Sequence, residues 1–175
     1  MMVMIRSILL ILYFTLSGTL YSQTNPSITL PVVTLMDIEP SGNITLNFTA
    51  PTEAGNPLAN PTANTTKWIN YTSAIAPAGA NRRITAAVNS VIPGVNIRLQ
   101  AGAASGAGGG TLGTSSGQVT LTTTPITIIS GIGGAYTGNG ANNGHNLSIS
   151  LAPGSYNNLA TLANTVVVIT YTITE

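Results

Sequence analysis

The closing run TVVVITYTITE, residues 165–175, constrains the fold more than any other stretch of this chain. Nearly every position is β-branched or aromatic and neither glycine nor proline interrupts it, so it is built for an extended strand. Val167, Ile169, Tyr171 and Ile173 share one side, while Val166 and Val168, then Thr170, Thr172 and Thr174, share the other. A strand that is apolar on both sides at its start and on one side at its end suits an internal position in a sheet covered by a second layer. No helix-period stretch rivals it, which predicts an all-β domain closed by its C-terminal strand.

The rest of the chain repeats the theme in shorter segments set off by glycine and proline. Ile28 and Leu30 alternate towards Pro31, which interrupts a ladder, and residues 32–38 predict the first strand. After the turn sequence Glu39-Pro40-Ser41-Gly42, Ile44, Leu46 and Phe48 alternate with polar residues. Residues 43–49 therefore predict a half-buried strand able to form a hairpin with the first. Residues 50–66 carry Pro51, Pro57 and Pro61 and read as a long loop. Residues 67–73 resume a strand, with Trp68, Asn70 and Thr72 on one side and Ile69 and Tyr71 on the other; Trp68 is expected as a plug of the core or its rim. Residues 82–90, with Ile84, Ala86 and Val88 inward, and residues 95–101 flank Pro93-Gly94 as the clearest hairpin signal. Residues 102–117 and 131–144 read as glycine-rich loops. Between them lie strands at 118–124, with Val119 and Leu121 inward, and at 126–130, with Ile126 and Ile128 inward; a further strand follows at 146–151. Eight or nine strands at turn-separated intervals predict a two-sheet antiparallel sandwich over residues 32–175.

Residues 1–22 read as a signal peptide: Arg6 supplies the basic start, residues 8–14 the apolar core, and Ser17, Gly18 and Thr19 the small polar end. A spanning helix wants about 20 apolar residues, so no membrane span is expected once this segment is removed. Residues 23–31 form a flexible lead-in. The destination implied is outside the cytoplasm: extracellular, at a bacterial cell surface, or periplasmic. Cysteine is absent, which excludes disulfide stapling and thiolate chemistry and leaves sheet pairing and core packing to hold an exported chain, a bacterial pattern.

Only 5% of residues are charged, against about 25% in an ordinary soluble domain. Beyond Arg6, Lys67, Arg82, Arg83 and Arg98 face Asp37, Glu39, Glu53 and Glu175. That balance offers no positive field to a nucleic acid, and a near-neutral surface lacks the repulsion that keeps copies apart.

No catalytic set emerges. Asp37 and Glu39 fall on one side of a strand, a spacing that overlaps a glycosidase pair or a calcium site, but beside Pro40 they are expected as solvated charges at a strand end. His145, without cysteine or a second histidine, makes no zinc site and is expected in a turn. The glycines at 106–110 are followed by no lysine, so the phosphate-cradling mechanism is missing. Catalytic, cofactor-binding and metal residues are accordingly not assigned, no cofactor is called for, and an enzyme is not expected. Trp68, Tyr71, Tyr136 and Tyr156, among many asparagines, are candidate glycan contacts through stacking and hydrogen bonding.

Several stretches carry a family likeness: the early strand at 33–38, GGGTLGTSSGQVTL at 108–121, GIGGAYTGNG within 127–140, and VVITYTI at 167–173. Through them the chain resembles small exported β-sandwich proteins of Bacteroidota-type bacteria and, more loosely, bacterial fimbrial or surface-fibre subunits. The resemblance implies an immunoglobulin-like or fimbrial-type sandwich whose sheets a neighbour's N-terminal strand completes. The cysteine pair of many chaperone-assembled subunits is missing here. The expectation is a non-enzymatic structural or surface protein, a fibre subunit assembling through Ile28, Leu30 and Val32 by strand addition. The alternative is a glycan-binding module or adhesin. Partners would then be copies of itself, other surface proteins or glycans.

Overall fold

The computed structural model describes residues 23–175; the segment read as a signal peptide lies outside them. The chain divides into two units, Met1–Leu30 and Pro31–Glu175. In the first, residues 23–30 run without regular structure and with every side chain exposed.

The second unit is mostly strand. Its nine strands among the described residues are β1 (Val33–Glu39), β2 (Asn64–Ala74), β3 (Arg82–Val88), β4 (Val95–Ser105), β5 (Gly109–Ser115), β6 (Gln118–Thr120), β7 (Ile126–Tyr136), β8 (Gly144–Pro153) and β9 (Ile169–Thr174), with a 3-10 turn at Tyr156–Asn158. All pairings are antiparallel and join into one hydrogen-bonded sheet in the order β6-β4-β8-β2-β7-β3-β9, with β1 added to β2 and β5 to β7. The two ends do not meet, so the sheet is not closed into a barrel.

Two strands change partner part-way along. β2 pairs with β8 over residues 64–69 and then with β7 at Thr72 and Ser73. β7 pairs with β3 over residues 126–132 before its last residues reach β2. Partner exchange of this kind bends a sheet, because each half of the strand follows a different neighbour. One side of these strands feeds a single apolar cluster: Ile69 and Tyr71 of β2, Ile84 and Ala86 of β3, Leu99 of β4, Ile129 and Ile132 of β7 and Leu147 of β8. Burying each of the isoleucine and leucine side chains among them contributes roughly 1.5–3 kcal/mol.

Several expectations are corrected. The C-terminal strand is not internal: β9 pairs with β3 alone and ends the strand order. Its apolar start, residues 165–168, remains outside the ladder with Val166 and Val168 exposed. The segments flanking Pro93-Gly94 form no hairpin, since β3 pairs with β7 and β9 while β4 pairs with β6 and β8. Of the strand expected at 43–49, residues 43–48 alternate in burial but join no ladder among the described residues, and Thr49 makes an isolated bridge to Ala59; β1 takes β2 as its partner instead. The stretch read as one loop at 102–117 contains the end of β4 and all of β5. In β7, a register shift opposite Ile84 and Thr85 breaks the period of two, so Ile128 and Ile129 are both buried and Ile126 is exposed.

Candidate functional site

The second unit carries a groove of about 1160 Å³. Ile38 of β1, Ile149 and Leu151 of β8, and Ile169 and Tyr171 of β9 line it, together with the unpaired stretches carrying Ile44, Leu46 and Phe48 and Leu162, Val166 and Val167. Period-two alternation turns Ile44, Leu46 and Phe48 towards the core while Asn43, Thr45 and Asn47 stay exposed. No backbone hydrogen bond ties residues 43–48 to a neighbouring strand among the described residues. Where Lys67 meets the groove, its Nζ donates to the carbonyls of Pro40 (2.6 Å) and Gly42 (2.7 Å), so its charge is used to hold the turn after β1. Tyr171 is shielded enough that burial pushes its phenol up to about 12.

Alternation recorded these residues in the sequence; their lack of partners was not recorded there. Pairing is decided by which other strand meets a segment, and β1 pairs with β2.

The interior holds a second polar arrangement. His145, expected in a turn, is the second residue of β8 and fully buried. Its Nδ1 lies 2.8 Å from the Gly102 carbonyl, and its Nε2 lies 3.0 Å from the Tyr71 hydroxyl and 3.2 Å from the Leu112 carbonyl. Tyr71 also donates to the Leu112 carbonyl, its ring stacks on His145 with centroids 5.9 Å apart, and burial holds its phenol well above the usual range. With acceptor carbonyls and a phenol as its neighbours, the imidazole locks β2, β4, β5 and β8 together. Arg82 does similar work: it donates to the Val33 carbonyl and Ser73 Oγ, and its guanidinium lies 3.7 Å from Glu175.

The four aromatic candidates do not converge. Tyr71 is in the core, and Tyr156 uses its hydroxyl to accept from the Leu58 N–H at 2.9 Å. Trp68 is half-buried and outward-facing rather than a core plug, because its register partner Glu39 lies on the outer side of β1. Tyr136 stands on that outer side as well, opposite Thr72. Asp37 and Glu39 share this face too. Ile28 and Leu30 are 79% and 88% exposed, and Val32 is exposed at the start of the second unit.

Among the described residues, no group of three or more His, Cys, Asp or Glu side chains is placed to hold a metal, and no helix is long and apolar enough to cross a membrane. No protein-family model, curated protein or solved structure matches this chain.

Proposed function

We propose that this chain is a non-enzymatic structural protein exported to a bacterial surface, with a two-sheet, fimbrial-type sandwich that assembles by taking an extended N-terminal segment from a neighbouring copy. The observation that carries this reading is the open apolar groove beside the free edge of β9. An edge strand with unpaired N–H and C=O groups above an apolar trough is the physical requirement for strand addition: the backbone supplies hydrogen bonds and alternate side chains supply fit. The complementary part is residues 26–32, where Ile28, Leu30 and Val32 alternate, exposed, along extended chain. The sparse charge supports close approach of copies.

Light scattering on the chain from Gln23 tests this directly. The intact chain is expected to form dimers and higher species with rising concentration, and the chain lacking residues 23–30 to stay monomeric yet bind a synthetic peptide of residues 23–32. Leu46→Asp is expected to abolish peptide binding. An intact chain that is monomeric at every concentration, or a deletion that leaves assembly unchanged, rules the reading out.

A further inference from the structure

The outer face of β1, β2 and β7 carries a second concavity, independent of the groove. Register places Asp37 opposite Asn70, Leu35 opposite Thr72, and Thr72 opposite Tyr136. Directly opposed residues point to the same side of a sheet, so these side chains form one outward patch while Met36 and Tyr71 turn to the core. A depression of about 450 Å³ sinks into this patch, lined by Leu35, Asp37, Asn70, Tyr136, Gly138 and Asn139 among others.

Asn70 is the unusual member. It faces outward yet is only 5% exposed, because the 137–143 loop folds over it and the Asn143 carbonyl accepts from its Nδ2 at 2.6 Å. The loop is itself braced: Asn143 Nδ2 donates to the Asn139 carbonyl, and its Oδ1 accepts from the Ala107 N–H. Among the described residues, Asn70 Oδ1 has no partner. A buried amide oxygen left unpaired costs about 1–3 kcal/mol, which a donor from a bound molecule would relieve. Beside it, Asp37 Oδ1 accepts from the Ile38 N–H at 2.7 Å, leaving Oδ2 as a further acceptor. The rim is an aromatic plate: Tyr136 is 55% exposed and lies so closely on Gly109 that an added Cβ there would sit 3.1 Å from its ring.

We infer that this depression binds one ring of a neutral saccharide, with the C–H face of the sugar on Tyr136 and its hydroxyls donating to Asn70 Oδ1 and Asp37. The volume falls within the range of small-molecule sites, and an apolar plate beside converging acceptors is the pattern a polyhydroxylated ring requires. No cationic side chain lines the depression, so uronic, sialic and phosphorylated sugars are disfavoured. A calcium ion wants six to eight oxygens and finds one carboxylate.

Saturation-transfer NMR on the intact protein tests the assignment, using methyl glycosides of glucose, galactose, mannose, rhamnose, fucose and N-acetylglucosamine. At least one is expected to receive saturation on one ring face. Tyr136→Ala is expected to weaken that binding about tenfold, and Asp37→Asn by several-fold, with the thermal midpoint unchanged. No transfer to any of the six overturns the inference, as does transfer that survives both substitutions undiminished. A chemical-shift response to calcium alone also overturns it. These readouts do not depend on whether copies exchange strands, so failure here leaves the assembly reading standing, and the reverse holds.

Discussion

At the scale of single residues, polar side chains in this chain are justified by carbonyls rather than by countercharges. Lys67 donates to two main-chain oxygens and Arg82 to one, and the ring nitrogens of His145 lie within 3.2 Å of two. The sequence showed His145 as an isolated polar residue, and isolation suggested a turn; whether strands present bare carbonyls to a buried group is visible only after folding. Tyr171 yields a pH prediction. Its folded phenol titrates near 12 against 10.0 for the ordinary group, so the folded state holds a proton that the unfolded state gives up. The stabilisation is complete below about pH 10 and is lost as pH rises towards 12. Urea midpoints measured from pH 8 to 11 are expected to fall by an amount worth roughly 1 kcal/mol from this group. Tyr171→Phe should remove that part of the fall, leaving the part from Tyr71, whose shift has the same sign and whose loss begins at the same pH and extends further.

At the scale of elements, alternation located β1, β2, β3, β4 and β8 to within a few residues, because one face of each packs against a shared core. The same logic missed β5, whose glycines carry no side-chain pattern. Those glycines are there for geometry. Gly113 has φ +76°, and a Cβ on it would sit 2.7 Å from the Ser130 carbonyl oxygen and 2.8 Å from Ile132 Cγ1. β5 lies against β7 only because nothing projects at that point. Gly113→Ala is therefore expected to destabilise the fold by about 2–4 kcal/mol, combining left-handed backbone strain with the forced separation of two strands. Chemical denaturation measures it, and a loss below about 0.5 kcal/mol would show that β5 contributes little.

At the scale of the whole molecule, electrostatics is nearly silent. One ion pair appears among the described residues, Arg82 with an exposed Glu175 at 3.7 Å, and such pairs contribute about 0–1 kcal/mol. Raising sodium chloride from low to several-hundred-millimolar levels is expected to change unfolding free energy by less than about 0.5 kcal/mol. A large salt dependence in equilibrium denaturation would contradict a fold held by apolar packing and neutral hydrogen bonds. What the sequence determined by itself was the class of structure: β-branched alternation with glycine and proline breaks forces antiparallel strands, since no other backbone buries every second residue. What only the tertiary structure decided was the pairing. An apolar face is satisfied by any complementary surface, so the pattern in Ile44–Leu46–Phe48 or Val166–Val167–Val168 cannot say whether a ladder partner exists. That was decided by the ladder itself, in which β2 and β7 change neighbours midway and β9, paired with β3, ends the strand order.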